Sequence, residues 1–539
     1  MKTRLKFDLS KLVLLFSDIY FLLTIGVCII LIIFKYSDFS LPYFSDELWV
    51  YGPSVRKMGI LGPSMLPNSL SIEDHWAHPL LFFFTGGTWC LIFGSSILST
   101  HIFAASISIT LLISIYFIGK NIFSKEVGFY TVLIFSTQSI FLGQFSLVLP
   151  EVMLTLFAFL TIYFYYKKKI LWYLFFGICL VLTKETGIFP ILAIVLWNLF
   201  KDLFYEKENP FKLSFIKKNS LLISPLLVLG IHFALLKVSY GWFLLPDRVE
   251  AFEFNWEIYH ERIMHTFHYV FINQGRKPII ILLFIAAILF NKKHSIWLRV
   301  LIFLIGFSII KIFFEYWKLP DVFELTIIPI LFIVLLKYIF WDIYKMNKKQ
   351  GDVLGVFSIF IVIYLLFSSA QFDSLRYLYC TIPVFIMISI YFVQSISTTK
   401  KIILPILSLI IIYFSIQYIS KDTNTGDDTN NYSDMCLIRI KSVQFLETNN
   451  YYLFPIKAPF LFNHAIRRPL TGYLSSNKNF NNLAHVDENT VNCAECICIF
   501  ENTSPSLYYN DIAQNINFEL INKTEKGSVW IEIYKKIKQ

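Results

Sequence analysis

The residues best suited to chemistry lie early in the chain, just after its first apolar run. Asp46 and Glu47 form an adjacent acid pair between Phe44 and Trp49. Carboxylates among apolar and aromatic neighbours tend to have raised pKa values and suit general-base work or metal binding. The alternative is an ordinary acid pair that caps the following helix. Because residue types alone favour that alternative, the meaning of the pair depends on its context.

Further polar side chains stand at the ends of later apolar runs. They are His78, Glu151, Lys184, Glu185 and Arg376. Each has a structural alternative. Glu151 could be an acid favoured at a helix N-terminus, and Lys184 could be a snorkelling lysine paired with Glu185. His78 could cap or hydrogen-bond within its loop, and Arg376 could anchor a helix end.

Membrane-spanning helices must position these residues, because the chain is 56% hydrophobic and only 16% charged over 539 residues. Apolar runs of about 20 residues, enough to cross a bilayer core, recur from Leu12 to Ile419. The remaining sequence is rich in Asn, Asp, Thr and Ser and contains short β-like stretches. We therefore predict an all-α polytopic membrane domain over residues 1–419 and a small extracytoplasmic α/β domain over residues 420–539.

What the net charge of +10 indicates about topology depends on where the Lys and Arg residues lie along the chain. Lys and Arg concentrate at the N-terminus and in alternate loops, which the positive-inside rule places in the cytoplasm. This assignment predicts thirteen spans, a cytoplasmic N-terminus, an exported tail and no nucleic-acid partner. The long loops 35–99 and 240–277 then face outward. We predict an interfacial or re-entrant helix over 80–93 and an amphipathic helix in the second loop.

Four cysteines in the tail, Cys436, Cys493, Cys496 and Cys498, predict disulfides because exported compartments are oxidising. Their C-x-x-C-x-C run could instead bind zinc, but no histidine cluster with ligand spacing accompanies it. The sequence contains no P-loop, dinucleotide fingerprint or H-E-x-x-H motif. We therefore name no metal-binding residues in the tail.

The order and sidedness of the polar motifs resemble the polyprenyl-phosphate-sugar glycosyltransferases of the glycosyltransferase C (GT-C) superfamily. The likeness is greatest to the branch with the dolichyl-phosphate-mannose protein mannosyltransferases and the lipid A aminoarabinose transferase. The motifs are the 46–47 acid pair, His78-Pro79-Leu80, Glu151 after Pro150, the segment 182–187 (LTKETG), and Arg376-Tyr377 with Pro383. Many relatives have two prolines after the histidine and more often Asp at the position of Glu151, which leaves the subfamily open.

The resemblance implies a sugar donor linked to polyprenyl phosphate and a lipid, glycan or protein hydroxyl as acceptor. It implies inverting transfer on the outer face, with Asp46 as general base and Glu47 as helper or metal ligand. Lys184 and Arg376 are the candidates for binding the donor phosphate. The candidates for substrate binding are His78, Glu151 and Glu185.

The resemblance implies no obligatory cofactor, although it allows a divalent cation, and membrane lipids are expected partners. We expect a bacterial inner membrane, because the sequence ends in no endoplasmic reticulum retention signal. The competing function is a multi-span transporter or lipid flippase, whose charges would lie at mid-depth within the spans. An O-antigen ligase or polymerase, or a scaffold that presents the tail, are further alternatives.

Overall fold

The structure is a computed structural model. It describes residues 17–246 apart from 208, then 249, 255–279, 348–371, 375–396 and 400–537 apart from 477, 488, 489, 491–494 and 505. The basic start of the chain and the lysines at 292 and 293, on which the predicted topology partly rests, lie outside these ranges.

Apolar α-helices make up most of the described chain up to residue 421. Their bounds are Ile19–Phe34, Gly52–Leu61, Ile72–His75, Leu81–Phe93, Ile97–Ile122, Lys125–Ser136, Ser139–Gln144, Pro150–Tyr166, Ile170–Thr183, Ile188–Phe204, Leu213–Ile223, Pro225–Tyr240, Trp256–Phe271, Lys348–Gln371, Thr381–Ile396 and Lys400–Lys421. Among the described residues, five helices are long and apolar enough to cross a membrane, or six if one pair bent by 51° forms a single span. The predicted integral, multi-pass membrane protein is therefore confirmed, whereas the count of thirteen spans stays a prediction.

Short polar residues begin several of these helices. The side chain of Ser96 accepts a hydrogen bond from the backbone of Ser99, and Ser124 accepts one from Val127. Asn255 caps the helix Trp256–Phe271 in the same way. These contacts satisfy backbone N–H groups that have no partner within the helix. The helix predicted in the loop 240–277 is present as Trp256–Phe271.

Loop 35–99, which is predicted to face outward and is called the first outward loop below, folds back onto a short helix. The turn Glu47–Tyr51 runs directly into the helix Gly52–Leu61, which packs along Leu81–Phe93. Gly87 allows the close approach, since a Cβ there would lie 2.5 Å from the Met58 side chain. The 13-residue helix Leu81–Phe93 matches the predicted short element, and its depth in the membrane stays a prediction.

The C-terminal region is the predicted small α/β module. Its helices are Tyr432–Thr448, Phe460–Arg467 and Tyr509–Ala513, and its strands are β1 (Ile456–Lys457), β2 (Leu483–Ala484), β3 (Ile497–Glu501), β4 (Phe518–Lys526) and β5 (Val529–Lys536). The sheet order is β2-β1-β3-β5-β4, with β1 parallel to both neighbours and β5 antiparallel to β3 and β4.

This module shares a hydrophobic core with the first outward loop. Tyr43 and Leu48 of the loop lie in one buried cluster with Tyr432, Ile438 and Ile531 of the tail. The hydroxyl of Tyr473 also donates a hydrogen bond to the carbonyl oxygen of Tyr43 at 3.0 Å. Because the shared core excludes water from both parts, the C-terminal module helps to fix the loop that carries Asp46.

The cysteines differ from the prediction in part. Cys496 is disulfide-bonded, whereas Cys436 and Cys498 are free thiols. Cys493 lies outside the described residues. The prediction of disulfides is therefore wrong for Cys436 and Cys498. Both thiols are buried, and Cys436 lies within the core shared with the loop.

Candidate active site

Arg376 lies at the centre of a buried cluster of charged side chains. Its Nη2 contacts the Asp46 carboxylate, and its Nη1 donates a hydrogen bond to Asp427 at 2.5 Å. Its Nε lies 3.6 Å from Oε1 of Glu151. The arginine side chain is only 4% exposed, so these three carboxylates compensate a charge that burial would otherwise make costly.

Lys184 supplies the second cation of this cluster. It ends the helix Ile170–Thr183 in an extended conformation, and its Nζ lies 2.7 Å from Oε1 of Glu151. The ammonium group also lies 4.0 Å from the centroid of the Tyr377 ring. The second carboxylate oxygen of Glu151 is buried and has no hydrogen-bond partner. Nε of Arg376 likewise has no hydrogen-bond partner among the described residues, so the cluster leaves one acceptor and one donor unsatisfied.

Asp46 is the most accessible of these three carboxylates, with 28% of its side chain exposed. The indole N–H of Trp49 donates to its Oδ1 at 2.9 Å. Burial opposes ionisation of Asp46, but the adjacent Arg376 guanidinium and the Trp49 indole outweigh it, so the pKa of the Asp46 carboxyl is lowered. Asp46 is therefore ionised in this arrangement and is held by an arginine.

Glu47 faces away from this cluster and joins three segments of the chain. Its Oε1 accepts hydrogen bonds from His101 at 2.9 Å and from the backbone N–H of Val148 at 2.6 Å. Its Oε2 accepts one from the backbone N–H of Phe44 at 3.1 Å. The side chain is fully buried. The predicted role of Glu47 as helper or metal ligand stays a prediction.

His78 and Glu185 form a pair beside the charged cluster. Nδ1 of His78 lies 2.9 Å from Oε2 of Glu185, and the Tyr51 ring stacks on the imidazole with centroids 5.9 Å apart. Glu185 is 28% exposed and follows Lys184 directly in the chain. The structure thus brings six of the seven predicted residues to one region. The seventh, Glu47, is buried and contacts His101 instead.

Asp427 belongs to the cluster but was not predicted. It lies after the helix Lys400–Lys421, in the segment that leads into the C-terminal module. Burial raises the pKa of its carboxyl, Arg376 partly opposes this effect, and Asp46 adds to it. The signal in the sequence is the adjacent pair Asp427-Asp428 directly after the last apolar run, which repeats the pattern of the 46–47 pair.

The described residues contain no group of three or more His, Cys, Asp or Glu side chains arranged to hold a metal ion. The expectation that no cofactor is obligatory stays a prediction. Asp46 and Asp427 both contact the same Arg376 guanidinium group.

Comparison with known proteins bears on this site. Residues 77–231 match the family model described as dolichyl-phosphate-mannose-protein mannosyltransferase. The match confirms the resemblance to the GT-C superfamily. The matched segment carries His78, Glu151, Lys184 and Glu185, whereas Asp46, Arg376 and Asp427 lie outside it.

Three solved structures are also similar to the chain, each with a TM-score below 0.5. ArnT from Cupriavidus metallidurans bound to undecaprenyl phosphate has 11% identity and a TM-score of 0.48, covering 96% of this chain and 97% of that chain. Its apo state has 10% identity, covers 95% and 97%, and also gives a TM-score of 0.48. The Pmt1-Pmt2 complex of S. cerevisiae bound to the sugar donor has 14% identity, covers 44% and 35%, and gives 0.32. No curated protein matches the chain significantly.

Proposed function

We propose that the protein is a membrane glycosyltransferase that moves a sugar from a polyprenyl-phosphate donor to a hydroxyl acceptor on the outer face of the membrane. The observation that carries this proposal is the convergence of Asp46, Lys184 and Arg376 in one cluster, although they are far apart in the chain. A carboxylate that can take a proton thus lies beside two cations that can meet a phosphate. The family-model match over 77–231 supports the same class.

The reaction needs one bond made and one broken at the anomeric carbon. The acceptor oxygen attacks this carbon from the side opposite the phosphate, so the configuration inverts. Asp46 takes the proton of the acceptor hydroxyl, and the polyprenyl phosphate leaves with the bonding electron pair. Arg376 and Lys184 stabilise the charge that develops on the departing phosphate. This step needs no covalent enzyme intermediate.

The charge balance of the cluster indicates how binding of the donor makes Asp46 a stronger base. When ionised, the carboxylates of Asp46, Glu151 and Asp427 outnumber the two cations, so no cation is free for a phosphate. A donor phosphate must therefore replace a carboxylate on Arg376. Asp46 is the most exposed of the three, so we propose that it is the one displaced. Once released, its pKa rises towards the ordinary carboxyl value, which makes it a stronger base.

The surrounding residues have supporting roles in this proposal. Glu47 positions Asp46 by tying the loop to His101 and Val148. Glu151 and Asp427 keep the two cations in place. His78 and Glu185 form the substrate-facing rim, because Glu185 is the more exposed member of their pair.

The test is transfer of labelled sugar from a panel of polyprenyl-phosphate sugars by the purified full-length protein in lipid. We expect Asp46→Asn to lower turnover by about 10²- to 10⁴-fold, the usual contribution of a general base, while donor binding persists. Asp434→Asn is the matched control, because Asp434 is a partly exposed acid that pairs with Lys526 in the C-terminal module.

Equal activity of wild type and Asp46→Asn would remove Asp46 as the base. No turnover with any donor, together with donor-dependent lipid or solute movement in vesicles, would favour the transporter function instead. The same assay tests the expected independence from metals, because EDTA should then leave turnover within about twofold of its value with added Mg²⁺.

A further inference from the structure

A cluster of aromatic rings lies next to Asp46, and apart from the Trp49 indole N–H it has no part in the chemistry described above. The Trp49 ring lies 5.0 Å from that of Trp76 and 5.3 Å from that of Phe460, between centroids. The His464 imidazole lies 4.5 Å from Phe460 and 6.1 Å from Trp49. We call these four residues the aromatic platform.

Two separate parts of the chain build the aromatic platform. Trp49 and Trp76 belong to the first outward loop, whereas Phe460 and His464 lie on the helix Phe460–Arg467 of the C-terminal module. The Phe460 side chain is 42% exposed, and the other three rings are partly exposed. Exposed aromatic rings lose favourable burial, so a cluster of them beside a reactive group indicates a binding surface.

The aromatic platform is joined to the proposed base by a single hydrogen bond. The Trp49 indole N–H donates to Asp46, while the Trp49 ring contacts Trp76 and Phe460. A molecule that lies on these rings is therefore adjacent to the carboxylate that would take its proton. The donor phosphate, in contrast, would lie at Arg376 and Lys184.

His464 supplies an unused polar atom within the aromatic platform. Its Nδ1 is buried and has no hydrogen-bond partner. Burial lowers the pKa of His464 to about 4, and the neighbouring Arg468 and Arg467 add to this effect. The imidazole is therefore neutral near pH 7 and can donate or accept a hydrogen bond, as a hydroxyl-rich ligand requires.

We propose that the aromatic platform binds a sugar ring of the acceptor, so that the acceptor is a glycan. This proposal rests on the proposed function and assigns the C-terminal module a share of the acceptor site. A pyranose ring presents an apolar C–H face to aromatic rings and hydroxyls at its edge to polar groups such as His464. Sites of this kind combine aromatic walls with a few placed polar groups.

The platform and its surroundings suit a sugar better than a peptide. An extended peptide commonly adds a strand to an exposed sheet edge. The edge strand β2, near the platform, is only two residues long and offers few backbone groups. The partly exposed rings instead provide apolar faces that do not depend on backbone pairing.

The first experiment measures binding without the donor. The full-length protein in lipid is titrated with methyl glycosides of glucose, galactose, mannose and N-acetylglucosamine, and with a Ser/Thr-rich peptide. We expect at least one glycoside to bind to the wild type and Phe460→Ala to weaken this binding about five- to tenfold, the typical value of one aromatic contact. Phe460→Tyr should restore it. Phe211→Ala, which removes a phenyl ring that is 88% exposed, is the matched control.

The second experiment measures turnover and separates the two proposals. With a labelled polyprenyl-phosphate sugar, Phe460→Ala should raise the acceptor KM about five- to tenfold. The donor KM and the slow hydrolysis of the donor without acceptor should stay unchanged. Failure of the wild type to use any donor would contradict the proposed function. Glycoside binding that Phe460→Ala weakens would still support the aromatic platform in that case. Absence of glycoside binding, or peptide transfer that Phe460→Ala does not alter, would overturn the platform proposal.

Discussion

Arg376 and Arg439 are both almost completely buried, yet their carboxylate partners are arranged differently. Arg439 forms two hydrogen bonds, of 2.8 and 2.9 Å, with the single carboxylate of Glu501, and both side chains are fully buried. The rings of Phe44 and Tyr473 lie beside its guanidinium group. Arg376 is shared among Asp46, Asp427 and Glu151, which come from three separate segments.

The difference separates a pair that supports the fold from a cluster that can do chemistry. Arg439 and Glu501 balance each other one to one and have no exposed member. The Arg376 cluster holds three carboxylates against two cations, and one of them, Asp46, is partly exposed. Competing charges of this kind shift pKa values and leave a position for a ligand, which is typical of functional sites. Each of the following changes tests that distinction.

Arg439→Met should have the largest effect on stability. Removing one partner leaves the buried Glu501 carboxylate without its counter-charge, which typically costs about 3–5 kcal/mol. We expect a large drop in the apparent melting temperature of the full-length protein in detergent. The double change Arg439→Met with Glu501→Leu should recover most of it, because no unpaired charge remains.

Activity per folded molecule should survive Arg439→Met if this pair serves only the fold. Phe44 touches Arg439 and lies two residues before Asp46, so a coupling between the two regions would run through it. A loss of turnover beyond the unfolded fraction would show that the Arg439–Glu501 pair also positions the site.

Arg376→Lys should have the next largest effect, on catalysis rather than on the fold. A lysine keeps the positive charge but cannot hold two carboxylates or a phosphate in a planar fork. We expect kcat/KM for the donor to fall about 100-fold, which corresponds to about 2.7 kcal/mol. The measurement is initial-rate kinetics with a polyprenyl-phosphate sugar.

Arg439→Lys is the matched control for Arg376→Lys, because it makes the same exchange at the other buried arginine. Its kcat/KM should stay within about twofold of wild type once corrected for the folded fraction. Equal losses in the two variants would mean that the two buried arginines act alike.

Much of the site follows from the sequence because its residues obey membrane sidedness. Lys184 and Arg376 stand at the ends of apolar runs that the distribution of lysines assigns to one side. Charged residues on the same side of neighbouring spans can meet, and in the structure both contact Glu151. The helices themselves follow from the length of the apolar runs. About 20 apolar residues in lipid form a helix because the backbone there must satisfy its own hydrogen bonds.

The rest depends on tertiary packing that no local pattern encodes. Asp427 reaches Arg376 only because the polar segment after the last helix folds back over the membrane part. Glu47 and Asp46 are neighbours in sequence, but the turn that begins there points one to the core and the other to Arg376. The aromatic platform likewise needs a loop and a module separated by almost 400 residues to meet, which the shared core makes possible.

Asp428→Asn should have the smallest effect, and that effect should depend on pH. Burial and the neighbouring Asp427 raise the pKa of Asp428 from 3.8 to about 6, although the Tyr269 hydroxyl donates a hydrogen bond to it at 3.2 Å. Because the folded pKa is raised, the protonated acid favours folding below pH ~4, and that contribution is lost as the pH rises through ~6. Above this range the buried charge destabilises the fold.

Replacing this acid with a neutral amide removes that cost. Asp428→Asn should therefore stabilise the protein by about 2–3 kcal/mol at pH 7.5 and hardly at pH ~3.5, measured as the apparent melting temperature at both values. Asp434→Asn, at a partly exposed acid, should show no such difference. A pH-independent gain would mean that Asp428 acts through packing rather than charge. Asp428 would then add nothing to the surplus negative charge around Arg376.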